Sequence, residues 1–144
     1  MSMTSLLDAN LLIALFDVAH VHHRPAQQWL TANRSDGWAT CPLTGNACIR
    51  IISQPAYPGR LPVADIARRL QQATRAADHH FWPDDLELSD PVLFDHRKIL
   101  TPKYLTDIYL LALSVRNNGR LVTFDRNIPL AAVPSARPEN LLVL

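Results

Sequence analysis

Two short apolar runs, near opposite ends of the chain, each lead into an aspartate. Leu6-Leu7 precedes Asp8, and the run 121–124 precedes Asp125. Runs of this length and composition predict buried β-strands. If both strands belong to one parallel sheet, their carboxyl ends meet at the edge where open α/β sheets bind ligands. We therefore expect Asp8 and Asp125 to lie close together.

A third aspartate stands in the opening turns of a predicted helix. Asp107 flanks an apolar stripe at helical spacing, formed by Ile108, Leu111, Ala112 and Val115. Each acid also has a simpler explanation: Asp8 as a helix cap, Asp107 as a complement to the helix dipole, and Asp125 as a turn residue. Taken together, the three predict a carboxylate cluster at one edge of the sheet.

A cluster of carboxylates needs compensation, because like charges repel and a low local dielectric strengthens the repulsion. Either a cation binds between them or some of the acids hold a proton. Hard oxygen ligands without a thiolate favour Mg²⁺ or Mn²⁺. Asn10 and Thr123 are expected to hydrogen-bond a carboxylate or a water molecule on the ion.

The order of apolar runs and breakers predicts alternating strands and helices. After the first strand and helix, helices are expected at 24–32, 42–53 and 62–77, together with the helix that contains Asp107. Further strands are expected at 38–40, 79–82, 121–125 and 141–144. This alternation predicts an α/β fold with a mostly parallel central sheet, and the length of 144 residues predicts a single domain, 1–144.

Composition and charge limit the classes of function. The longest apolar stretch, 11–16, is too short to cross a bilayer, and no leader pattern is present, so we expect a cytoplasmic protein with no membrane contact. A net charge of +1 argues against binding nucleic acid through overall charge. Only a local basic patch could bind RNA, and the candidates are Arg97, Lys98, Lys103 and Arg126.

Two other kinds of site receive little support. The run His20-x-His22-His23 has no cysteine or carboxylate partner at ligand spacing for zinc. A phosphatase of the haloacid dehalogenase type also begins with a strand that ends in aspartate, but it requires a second aspartate where this chain has Asn10. No glycine-rich phosphate loop is present, which argues against kinases and ATPases.

The motifs, in their order and spacing, resemble those of the PIN domain, and within it the VapC-type ribonuclease toxins. The matching stretches are 6–12, 20–23, 29–30, 37–44, Arg50, 81–85, 105–113 and 121–126. The resemblance implies a three-layer α/β/α sandwich and an Mg²⁺- or Mn²⁺-dependent endoribonuclease. It maps three family acids onto Asp8, Asp107 and Asp125. It also implies a cognate antitoxin as partner and a homodimer.

The chain departs from the family pattern at one position. After Pro42-Leu43-Thr44 the family usually has a glutamate that completes a set of four acids, and this chain has Gly45. The alternative is therefore a degenerate PIN module, weakly active or inactive, that acts by binding RNA or the antitoxin. Asp90 or Asp95 could instead replace the missing acid.

Overall fold

The fold is built on one parallel sheet, described by a computed structural model over residues 2–144. The strands are β1 (Ser5–Leu7), β2 (Trp38–Thr40), β3 (His79–Phe81), β4 (Arg120–Thr123) and β5 (Leu141–Val143). They lie in the order β3-β2-β1-β4-β5, and all four neighbouring pairs are parallel. The predicted parallel α/β fold is confirmed.

Five α-helices connect or flank these strands. They are α1 (Ala9–Phe16), α2 (His23–Asn33), α3 (Pro42–Ile52), α4 (Val63–Ala73) and α5 (Leu105–Arg116). Within residues 2–144, no helix combines the length and apolar character needed to cross a membrane.

Helices cover both faces of the sheet. Successive strand residues point to opposite faces, so Leu6 and Leu7 of β1 belong to different cores. Leu6 packs in a buried cluster with the apolar side of α5, which includes Ile108 and Leu111. Leu7 packs with apolar residues of α1, α3 and α4, including Ile66. This arrangement is the three-layer α/β/α sandwich that the sequence predicts.

Several boundaries differ from the sequence-based expectation. The helix predicted at 62–77 ends at Ala73, and the Thr74 N–H closes its last turn on the Leu70 carbonyl. The strand predicted at 121–125 ends at Thr123. Beyond Thr123 the chain turns, so Asp125 leaves the sheet plane instead of continuing the ladder.

Strands β1 and β4 approach closely at Gly119. The Arg120 N–H donates to the Thr4 carbonyl at 3.0 Å, just beyond this glycine. A Cβ atom on Gly119 would collide with the Thr4 carbonyl oxygen and lie 2.8 Å from the Trp82 ring. Only glycine allows β4 to enter the sheet here at this spacing.

Candidate active site

Asp8 lies at the carboxyl end of β1 and is buried, with 5% of its surface exposed. Its Oδ1 accepts the Ala9 N–H at 2.7 Å, which caps α1. Its Oδ2 accepts the Thr123 hydroxyl, also at 2.7 Å. The simple capping role is therefore real, but it uses one carboxylate oxygen and leaves the other directed at the end of β4.

Thr123 joins Asp8 to Asp125. Its fully buried hydroxyl donates to Asp8 and accepts the Asp125 N–H at 3.0 Å. Asp125 Oδ1 in turn accepts the Asn127 N–H at 2.8 Å, as expected for a turn aspartate. One hydroxyl thus fixes the relative position of the first and last acids, and the predicted contact of Thr123 with a carboxylate is present.

Asp107 approaches from the other side of the sheet, in the first turn of α5. Burial raises the pKa of its half-buried carboxyl to about 7, and the negative charges of Asp8 and Asp125 add to the rise. Burial also raises the pKa of Asp8, against the lowering effects of the Thr123 and Ala9 hydrogen bonds, and the charge of Asp125 adds to it. The fold therefore brings all three acids within electrostatic reach of one another.

The chemistry of the three acids, rather than a preformed ligand geometry, bears on whether a cation binds here. Among residues 2–144, no group of three or more His, Cys, Asp or Glu side chains forms a ready-made set of direct metal ligands. Mg²⁺ commonly keeps several waters and takes only one or two carboxylates directly. Three mutually repelling oxygen donors, one of them with a pKa near 7, fit such an ion chemically.

Gly45, the position of the missing family acid, lies in α3 and faces α4. A Cβ atom there would meet Leu70 Cδ2 at 3.6 Å, an ordinary van der Waals contact. The residue borders a cavity of about 430 Å³ that is also lined by Thr40, Phe81 and Gln71. A larger side chain at position 45 therefore has open space beside it.

The two candidate replacements for that acid each have partners in their own loop. Asp95 forms ion pairs with Arg97 at 3.2 Å and Lys98 at 3.9 Å, and its hydrogen bond from Arg97 lowers its pKa. Asp90 Oδ1 accepts the Val92 N–H at 2.8 Å. Both acids are thus engaged in their own loop.

Asn10 does not join the cluster. It is exposed on α1, and within the described chain the side-chain hydrogen bonds of Asp8 come from Ala9 and Thr123 instead. A hydrogen bond from Asn10 to a carboxylate is absent among the described residues, and its other expected role, toward a water molecule on a bound ion, stays a prediction. Thr123 alone provides that support from a side chain.

The four basic candidates lie in different surroundings. Arg97 and Lys98 share Asp95 as an ion-pair partner, so part of their charge is already compensated. The Lys103 ammonium lies 5.5 Å from the centre of the Tyr104 ring. Arg126 is exposed and follows Asp125 directly in the chain.

Sequence reasoning gave no role to Asp84, which also lies at this edge of the sheet. Its Oδ2 accepts the Leu43 N–H at 3.0 Å, at the start of α3. Its Oδ1 is buried without a hydrogen-bond partner. The signal was available, because Asp84 comes three residues after the end of β3, near the edge where Asp8 follows β1.

The comparisons with known proteins agree with this architecture. A family model for the PIN domain matches residues 5–134. The chain belongs to the PIN-domain family. This PIN domain is similar to Ribonuclease VapC44 of Mycobacterium tuberculosis, with 44% identity over 99% of this chain and 100% of the relative. It is also 44% identical to Ribonuclease VapC39 of the same organism, over 85% of this chain and 89% of that protein.

A solved structure supports the fold. The crystal structure of Mycobacterium tuberculosis VapC20, described as a sarcin-ricin loop cleaving toxin, superposes with a TM-score of 0.63 at 11% identity. The match covers 94% of this PIN domain and 100% of the VapC20 chain. The structure supports the fold alone, and the resemblance to VapC-type proteins is confirmed by the family model and by the similarity to VapC44 and VapC39.

Proposed function

We propose that this PIN domain is a VapC-type endoribonuclease toxin that depends on Mg²⁺ or Mn²⁺. The convergence of Asp8, Asp107 and Asp125 carries the proposal. The ends of β1 and β4 contribute Asp8 and Asp125, and the first turn of α5 contributes Asp107. The names of its relatives as ribonucleases support the same activity.

Each residue of the cluster has a separate task in this proposal. Thr123 holds Asp8 in one orientation by donating a hydrogen bond to Oδ2. Asp107, with a pKa of about 7, gains or loses a proton near neutral pH, and a cation bound beside it would favour the deprotonated form. A bound divalent cation supplies activated water and stabilises charge on the phosphate. Asp8, Asp107 and Asp125 would hold that cation, directly or through water.

The RNA backbone needs positive charge beside these acids. Arg126 is the best placed of the four basic candidates, since it is exposed and adjacent to Asp125. The charges of Arg97 and Lys98 are partly compensated by their ion pairs with Asp95. A cognate antitoxin, a homodimeric assembly and a cytoplasmic location form part of the same proposal and rest on the family resemblance.

The absence of an acid at Gly45 is the basis of the alternative. If the family glutamate is essential, this chain is a degenerate PIN module that binds RNA or the antitoxin without cutting. The open space beside Gly45 makes the alternative testable, because Gly45→Glu can be accommodated without a backbone clash.

The deciding experiment measures cleavage of single-stranded RNA with Mg²⁺ or Mn²⁺ for the wild type, Asp8→Asn and Gly45→Glu. Asp36→Asn, at an exposed aspartate outside the cluster, is the matched control. Cleavage by the wild type and Asp36→Asn that is lost in Asp8→Asn supports the nuclease. Cleavage only by Gly45→Glu supports the degenerate module. No cleavage by any of the proteins, together with no Mn²⁺ binding by calorimetry, refutes the metal-dependent enzyme.

A further inference from the structure

A stacked pair of rings lies next to the acid cluster. The rings of His22 and Phe124 are 4.5 Å apart between centroids, with an interplanar angle of 22°. The His20 ring lies 5.7 Å from that of His22. His22 is exposed, whereas Phe124 is partly buried against the core shared by α1, α3 and α4. The His22 ring therefore faces solvent, and the partly buried Phe124 ring supports it from below.

The backbone fixes this pair at the candidate active site. Phe124 stands between Thr123, which contacts Asp8, and Asp125 itself. Consecutive Cα atoms are about 3.8 Å apart, so the ring pair begins one residue from the cluster. Asp107 approaches from the opposite layer. The ring pair therefore belongs to the same edge of the sheet as Asp8 and Asp125.

The His22 ring is not needed to hold its own loop. That loop is tied by the Ala19 N–H to Asp17, by the His22 backbone N–H to His20 Nδ1, and by His23 Nδ1 to the Ala14 carbonyl. His22 precedes α2 but gives it no side-chain cap. In the part of the chain that the structure describes, its ring contacts are with other rings, so the loop leaves the imidazole available for a ligand.

We propose that His22 and Phe124 form a stacking platform for one nucleobase of the RNA, next to the bond that is cut. The inference rests on the proposed nuclease function. Single-stranded RNA is commonly recognised by stacking of splayed bases on aromatic side chains, including histidine. Stacking accepts any base, because every base has a π-face. The platform thus positions the strand without selecting its sequence.

The platform is tested with fluorescence of 2-aminopurine, which falls when the base stacks. A single-stranded oligoribonucleotide carries the probe at each position in turn, and binding is measured in EDTA so that the RNA stays intact. In the wild type we expect strong quenching at one position, beside the bond cut when Mn²⁺ is added. His22→Gln should remove that quenching and weaken binding about five- to tenfold.

Two further variants make the test specific. His22→Tyr keeps an aromatic ring and should retain the quenching. His80→Gln is the matched control, because it makes the same substitution at an exposed histidine that lies beside Gly37, just before the start of β2. It should change neither the quenching nor the affinity for RNA. Phe124→Leu keeps an apolar side chain in the core but removes the supporting ring, and should behave as His22→Gln does.

The outcomes separate this inference from the function on which it rests. If the wild type neither binds nor cuts RNA, both fail. If the wild type cuts RNA while His22→Gln keeps the quenching and the affinity, the platform alone is refuted. Loss of quenching in both His22→Gln and His22→Tyr also refutes the platform. If His22 acts as an aromatic surface, the tyrosine ring should preserve the stacking.

Discussion

Replacing Asp107 by Asn should stabilise the metal-free protein at and above neutral pH. The Asp107 carboxyl has a pKa of about 7 in the folded protein, compared with 3.8 as its ordinary value. Each pKa unit corresponds to about 1.4 kcal/mol, so three units correspond to about 4 kcal/mol. Because the group is only half-buried, solvent screening reduces this to about 2 kcal/mol.

The pH dependence of this effect has a definite direction. Between about pH 4 and pH 7 the folded protein keeps a proton on Asp107 that the unfolded chain releases. Stability contributed by this group is therefore complete below pH 4 and is lost as the pH rises to 7. In Asp107→Asn that decline should be absent, although the smaller contribution of Asp8 remains.

Urea unfolding in EDTA, followed by tryptophan fluorescence at pH 4.5 and pH 8, measures the effect. We expect Asp107→Asn to exceed the wild type by about 2 kcal/mol at pH 8 and to equal it within about 0.5 kcal/mol at the lower pH. Addition of Mg²⁺ should narrow the difference at pH 8, because the ion stabilises the wild type. Equal stability of the two proteins at pH 8 in EDTA would refute the proposed crowding of carboxylates.

Three further substitutions test the surroundings of the site. Thr123→Val removes the hydroxyl that positions Asp8, and should lower the unfolding free energy by about 1–3 kcal/mol and reduce kcat while the far-UV circular dichroism stays unchanged. Gly45→Ala places a methyl group in ordinary contact with Leu70 inside α3, and should raise the thermal midpoint by an amount equivalent to about 0.5–1 kcal/mol. Gly119→Ala places a methyl group against the Thr4 carbonyl, and should lower the free energy of unfolding in urea by about 1–3 kcal/mol. An unchanged free energy of unfolding would contradict the close approach of β1 and β4.

The sequence predicted the parts of the fold that depend on local pattern. Short apolar runs ending in aspartate correctly placed β1 and β4 in one parallel sheet with their carboxyl ends at one edge, and the structure adds that the two strands are neighbours. Helical periodicity also located α5 and Asp107. The early end of α4 at Ala73 was missed, because the sequence after it keeps helix-compatible residues and gives no strong stop signal.

Side-chain direction was less predictable than position. Asn10 lies two residues from Asp8 and is exposed, and within the described chain the hydrogen bonds to Asp8 come from Ala9 and Thr123. The pairing of Arg97 and Lys98 with Asp95 depends on the path of an irregular segment, which has no periodic signal. The stack of His22 on Phe124 joins residues far apart in the chain, and no local pattern could indicate it.

The central position of β1 has a consequence during synthesis of the chain. Asp8 leaves the ribosome early, but its partner hydroxyl belongs to β4, which pairs with β1 across nearly the whole sequence. A growing polypeptide therefore contains the first acid for most of its synthesis without the threonine that orients it. A nascent chain halted before β4 therefore carries an Asp8 carboxylate that lacks its hydrogen bond from Thr123, and the three acids can be assembled only when translation is nearly finished.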